Sequence, residues 1–291
     1  MRQRTLFLFR EFKNNAVFRI AYIVYFLLTV AVLAYALLNM LAGLSVDKFL
    51  YGVQIILLAS LLHFIFYSLI SYEFCCSDQA VGIDEFARTI ENGKSRLLLS
   101  KIVVLMSLTI PNLILNIIVT VIGAIVGHVG AALLQILGHL ILNLAVLPAV
   151  GILFGAVLAC GAKRGAAYII MAAATFLSSP IAGSFGATIY QSTGFSAGIL
   201  MRLFPFMTPS TMLISPNMAY GYSLRPYRIF AYAVWILVLC AVLLFYMSNE
   251  RGKKKQLLSA AVCLAAGLCL IPFVFRSNSD IIYDDMNSEG A

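Results

Sequence analysis

The sequence predicts an all-α, polytopic membrane protein of about six to seven transmembrane helices, with an N-terminal interfacial helix and broken re-entrant helices on the outer side. Three observations predict this. The 291-residue chain is 62% hydrophobic and only 11% charged. Its apolar residues gather into runs of the roughly 20 residues that a bilayer core requires. These lie near Phe18–Leu41, Leu50–Ser71, Ile102–Val126, Ala131–Cys160, Ala166–Ile189, Ile229–Met247 and Leu257–Phe275. Almost no ionised residue interrupts them, as the cost of charge in hydrocarbon demands.

The net charge of +8 reports orientation and not nucleic-acid binding. With the N-terminus inside, Arg2, Arg4, Arg10, Lys13, Arg19, Arg88, Lys94, Arg96, Lys163, Arg164, Arg251 and Lys253–Lys255 all fall on the cytoplasmic side. Only Lys48, Arg202, Arg225, Arg228 and Arg276 fall outside, the asymmetry of the positive-inside rule. The charged N-terminal stretch is too long, and the run after it too complete, for a cleaved signal peptide. Cys75, Cys76, Cys160, Cys240, Cys263 and Cys269 lie in runs or at their inner ends, so no disulfide framework is expected.

Taken in order, the elements begin before the first run. Leu6, Phe9, Phe12 and Ala16 recur at helical spacing while Arg10, Lys13 and Asn14 project elsewhere. This predicts an amphipathic helix over residues 1–17 lying on membrane lipids, basic side toward phosphates. The second run carries His63 among aromatics, a packed and hydrogen-bonded position. A hydrophilic loop, Glu73–Lys101, follows. Within it Asp78 or Asp84 suits a helix N-cap and Gly93 a helix end. Ile83, Phe86, Ala87 and Ile90 then share a face, ringed by Asp84, Glu85, Arg88 and Glu91.

The third run places Asn112, Asn116 and Thr120 at four-residue spacing, hence on one face. The fourth places Gln135, His139 and Asn143 likewise, and the turn Gly127–Gly130 makes the two runs antiparallel neighbours. The stripes either bind one another as helix glue or line a polar pathway. Pro111 and Pro148 bend these helices. The fifth run is rich in small residues suited to close packing. From Tyr190 to Tyr227, prolines alternate with aromatics, the pattern of short broken helices in the outer interface. The sixth and seventh runs bracket Ser248–Gln256, and an acidic external tail ends the chain.

Several chemistries are excluded. Asn92-Gly93-Lys94-Ser95 resembles the end of a phosphate-binding loop, but the required preceding glycine position is Arg88. No metal-ligand spacing surrounds the histidines, no catalytic pair is visible, and no paired carboxylates lie within the runs. The chain therefore reads as no enzyme, without a catalytic or metal site.

An N-terminal interfacial helix, two spans, and a cytoplasmic segment Glu85–Lys101 containing Glu91, Gly93, Arg96 and Lys101 resemble the type-2 ABC transporter permease family. The resemblance covers roughly residues 1–250. It implies a six-span permease domain over 18–250, with an additional transmembrane helix and short acidic tail over 251–291, the seventh span being a departure from the basic plan. It further implies export or flipping of a peptide, lipid or hydrophobic compound across a bacterial plasma membrane. A second permease subunit and separate ABC ATPase subunits would be the partners, with ATP and Mg on the ATPase. Asp84, Glu85, Phe86, Arg88, Ile90 and Glu91 would couple to that ATPase, and Leu6, Phe9, Arg10, Phe12 and Lys13 would carry its movement. An ion-coupled secondary transporter or channel is the alternative class, with His63 and His139 as its ionisable candidates.

Overall fold

The computed structural model describes residues 2–42, 46–81, 93–128, 137–138, 140–177, 226–247 and 253–276. Over these residues the protein is all-α and contains no strand. Helices α1 (Arg2–Asn14), α2 (Ala16–Leu41), α3 (Val46–Leu58), α4 (Ser60–Val81) and α5 (Gly93–Val126) come first. A π-helical segment, Leu142–Val146, leads into α6 (Leu147–Gly161), followed by α7 (Arg164–Leu177), α8 (Pro226–Met247) and α9 (Lys253–Arg276). Five described helices are long and apolar enough to cross a bilayer: Ala16–Leu41, Ser95–Val126, Leu144–Gly161, Ile229–Met247 and Gln256–Val274. This is a polytopic membrane-embedded protein.

Asn15 separates α1 from α2. Its extended backbone stops the first helix, and its side-chain oxygen accepts the Val17 N–H at 3.0 Å, capping the second. The face of α1 differs from the expected stripe. Leu8 and Phe12 are the buried pair, whereas Leu6 and Phe9 are exposed. Leu8 and Phe12 pack with Phe18, Phe74, Leu105 and Leu108, so protein takes Phe12 out of that stripe and leaves Leu6 and Phe9 on the outside.

The second apolar run is two helices and not one. Ala59 forms a turn between α3, which folds back along α2, and α4, which continues past Ser71 to Val81. The third run likewise begins early, at Gly93, which starts α5. The hydrophilic interval Glu73–Lys101 thus shrinks to residues 82–92, which lie outside the described residues together with Asp84, Glu85, Phe86, Arg88, Ile90 and Glu91. After α5, His128 takes a positive φ of 53° as the chain turns. Pro148 sits in the first turn of α6, where it needs no N–H partner, directly after the π-helical segment.

The tightest helix pair is α4 with α6. Gly151 and Gly155 lie one turn apart against Phe64, Ser68, Ser71 and Tyr72. With no side chains there the backbones approach closely enough for Ser71 Oγ to donate to the Ile152 carbonyl at 2.7 Å. Helices α8 and α9 pack as a hairpin through Ala231, Val234 and Val274. The expected seventh helix therefore exists, with Leu258, Val262 and Leu268 on its exposed side. None of the six cysteines forms a disulfide.

Antiparallel succession brings the basic side chains to one end. Arg10, Lys13, Arg19, Arg96, Lys101, Lys163, Arg164 and Lys254 belong to helix ends gathered there, whereas Lys48 lies at the opposite end. Contacts fix this grouping: Phe12 meets Phe74, Arg164 meets Glu73, and Gly161 abuts the Tyr246 ring.

Candidate functional site

Three polar stripes meet inside the bundle. On α2, Tyr22, Tyr25 and Thr29 recur at helical spacing; on α4, His63 and Tyr67 lie one turn apart; on α5, Leu108, Asn112, Asn116 and Thr120 follow at four-residue intervals. Tyr25 is hydrogen-bonded to Nδ1 of His63. The Tyr22 and Tyr67 hydroxyls both donate to the Leu108 carbonyl, each at 3.0 Å. Pro111, in the same turn of α5, brings no N–H to the helix ladder. The Leu108 carbonyl, with two lone pairs, ties α5 to α2 and α4 at once. Aromatic rings close the cluster, with Tyr25 stacked on Phe66 at 3.9 Å and edge-on to Tyr67 at 5.5 Å.

Asn112, 4% exposed, joins this group. Its carboxamide makes no closely aligned hydrogen bond among the described residues, but it interacts with the hydroxyls of Tyr25 and Tyr67, which also bond to His63 and the Leu108 carbonyl.

The structure keeps Asn112, Asn116 and Thr120 on one buried face, as their spacing predicts. Asn116 Nδ2 donates to the Asn112 carbonyl at 2.7 Å and Thr120 Oγ1 to the Asn116 carbonyl at 2.9 Å, so both spend donors on their own helix. Asn112 stands beside tyrosines of α2 and α4, helices distant in sequence. Gln135 and His139 lie outside the described residues, as does the side chain of Asn143. Tyr22, Tyr25 and Tyr67 were not singled out from the sequence. The Tyr22, Tyr25, Thr29 spacing within an apolar run was the available signal.

A second assembly knits the basic end. Lys101 is 1% exposed despite its charge. Its Nζ donates to the Phe74 carbonyl and to Ser77 Oγ at 3.3 Å, and lies 4.6 Å from the centre of the Phe74 ring. That ring is edge-on to both Phe12 and Phe18, each at 5.4 Å, while Phe12 and Phe18 stack on one another at 5.4 Å. Four helices, α1, α2, α4 and α5, thus converge on Phe74. Nearby, Glu73 on α4 accepts hydrogen bonds from Tyr168 and, at 3.1 Å, from Arg164 on α7. The Tyr168 hydroxyl and the Glu73 carboxylate push the Arg164 guanidinium above its ordinary range. Arg164 is 71% exposed, so this pair orients α7 more than it stabilises the fold. No group of metal-ligating side chains occurs among the described residues.

Compared with protein-family models, curated proteins and solved structures, the chain matches none.

Proposed function

We propose that the chain is the membrane-embedded permease subunit of an ATP-driven exporter of the type-2 ABC kind, with its basic end in the cytoplasm of a bacterial cell. The carrying observation is the convergence of α1, α2, α4 and α5 on Phe74. Residues 82–92 connect α4 to α5, two of the four helices that converge there. A force applied to that connector reaches three long helices and the amphipathic helix together. Separate ATPase subunits supply the force, and a second permease subunit, identical or not, completes the pore. The clustering of basic side chains supports the orientation. Leu6, Phe7 and Phe9, exposed on α1 beside Arg10 and Lys13, suit that helix to the lipid interface. The transported molecule is an apolar or amphipathic compound, moved outward or flipped.

The connector supplies the test. Phe86→Ala should weaken co-purification with a separate ATPase subunit, by about 2 kcal/mol or more, as truncation of an aromatic anchor does. Membrane insertion should be unchanged. Undiminished binding together with undiminished stimulation of ATP hydrolysis would refute the coupling role of this segment.

The His63–Tyr25 pair favours a second reading, an ion-coupled carrier, because ionisable groups buried in membranes mark ion paths. That reading requires transport driven by a proton gradient without ATP, and loss of that drive in His63→Gln.

A further inference from the structure

Two hydrophobic clusters divide α2 and α5 at the same level. Away from the basic end, Leu33, Ala36 and Met40 of α2 pack with α3 and with Val119 and Ala124 of α5. Nearer the basic end, Phe18 and Tyr25 of α2 pack instead with α1, α4 and with Leu105 and Leu108 of α5. Between the clusters lies the polar layer of Tyr25, His63, Tyr67 and Asn112. The backbone ladders are interrupted at this level too. Pro111 has no N–H, so the Ser107 carbonyl lacks its partner one turn on. On α2, Thr29 Oγ1 donates back to the Tyr25 carbonyl at 3.0 Å, a contact that bends helices. The break between α3 and α4 at Ala59 falls one turn from His63. Gly151 meets Phe64 and Gly155 meets Ser68, so α4 and α6 run parallel, and the π-helical segment Leu142–Val146 stands at the level of that break.

We infer that this layer is a hinge, on which α3 and the far halves of α2 and α5 swing as one body against the rest of the bundle, with Tyr67 as its latch. The Tyr67 hydroxyl touches α5 on both sides of the proline: it donates to the Leu108 carbonyl at 3.0 Å and interacts with the Asn112 carboxamide. Tyr22 donates to the same carbonyl at 3.0 Å but stays on the near side. The hinge deepens the transport role by giving the far end a moving part, and it rests on that role only for linking the swing to export.

The test uses the purified chain in nanodiscs without ATPase or nucleotide, so a rigid bundle and a failure of ATPase coupling are separate results. Nitroxides carried on a keto amino acid, which leaves the cysteines untouched, replace the exposed Ile125 on α5 and Ile229 on α8. Pulsed electron resonance reads their separation. A swing of about 10° over the roughly 21 Å of helix between Pro111 and Ile125 moves that label by about 4 Å. Tyr67→Phe keeps the ring but frees the hinge, and should widen the distance distribution about twofold. Tyr22→Phe should leave it unchanged, as should either variant for a control pair at Arg96 and Ile229. Pro111→Ala returns the missing N–H to α5 and should narrow the distribution, which serves where Tyr67→Phe does not fold. A wild-type width in Tyr67→Phe or in Pro111→Ala would overturn the inference. Equal widening by Tyr22→Phe, or widening of the control pair, would also overturn it.

Discussion

Gly155→Leu is expected to abolish the native α4–α6 pairing, at a cost of about 3 kcal/mol or more, the upper range for overpacking a tight interface. A first side-chain carbon at Gly155 would fall onto the Ser68 carbonyl, 2.8 Å from Ser71 Cβ and 2.9 Å from the Tyr72 nitrogen. Two of these three neighbours are backbone atoms, which no rotamer change can move. The helices must separate, and separation also breaks the Ser71–Ile152 hydrogen bond. A graded unfolding assay in mixed micelles measures the loss. Gly165→Ala is the control, since nothing lies within 4 Å of a carbon added there. It should be neutral or stabilising by up to about 1 kcal/mol through helix propensity. Similar behaviour of the two variants would mean that α4 and α6 do not meet as described.

Lys101→Ala is the second large effect, a destabilisation of about 3 kcal/mol. The substitution removes charge-assisted hydrogen bonds to Phe74 and Ser77, which contribute about 1.5–3 kcal/mol each, and it opens a cavity beneath Phe74. Lys101→Met keeps most of the volume and loses only the donors, so it should cost about half as much. On the proposed function the two variants differ less in a second readout. Both should lower ATPase stimulation, because both release the α4 carbonyl that Lys101 ties to α5. A Lys101→Met protein as stable as wild type would show that packing alone holds this end together.

The transmembrane character was legible because hydropathy reports solvent, and the bilayer imposes one length on every span. Helix limits were less so. Gly93 to Lys101 is polar enough to read as loop, yet α5 runs through it, since a helix does not stop where hydrocarbon stops. Lys101 accordingly appeared as the edge of a connector when it is a buried cross-link; its long apolar stem reaches inward while its head finds carbonyl oxygen. The break at Ala59 left no mark because Leu57-Leu58-Ala59-Ser60 contains neither proline nor glycine. The spacing Gly151-x-x-x-Gly155 was readable as a close-packing signal and passed unnoticed within an apolar run.

The polar stripe on α5 was legible as a stripe, but not its surroundings. Sequence adjacency sets the α5 stripe against that of the next span, whose Gln135, His139 and Asn143 side chains lie outside the described residues. Tertiary packing sets Asn112 beside Tyr25 and Tyr67, on helices far earlier in the chain. No periodicity within one helix reports which neighbour its polar face meets.

Movement of the basic end under ATP can be read as a distance. Nitroxide labels replace the exposed Arg10 on α1 and the exposed Lys254 on α9. The labelled chain is reconstituted in liposomes with its ATPase partner, and the label separation is read by pulsed electron resonance. ATP should shift the separation by about 2 Å or more, the scale of helix displacement in switching proteins, whether or not an ion gradient is imposed. A separation that ignores ATP but responds to a proton gradient alone would contradict the account and make the chain an ion-coupled carrier.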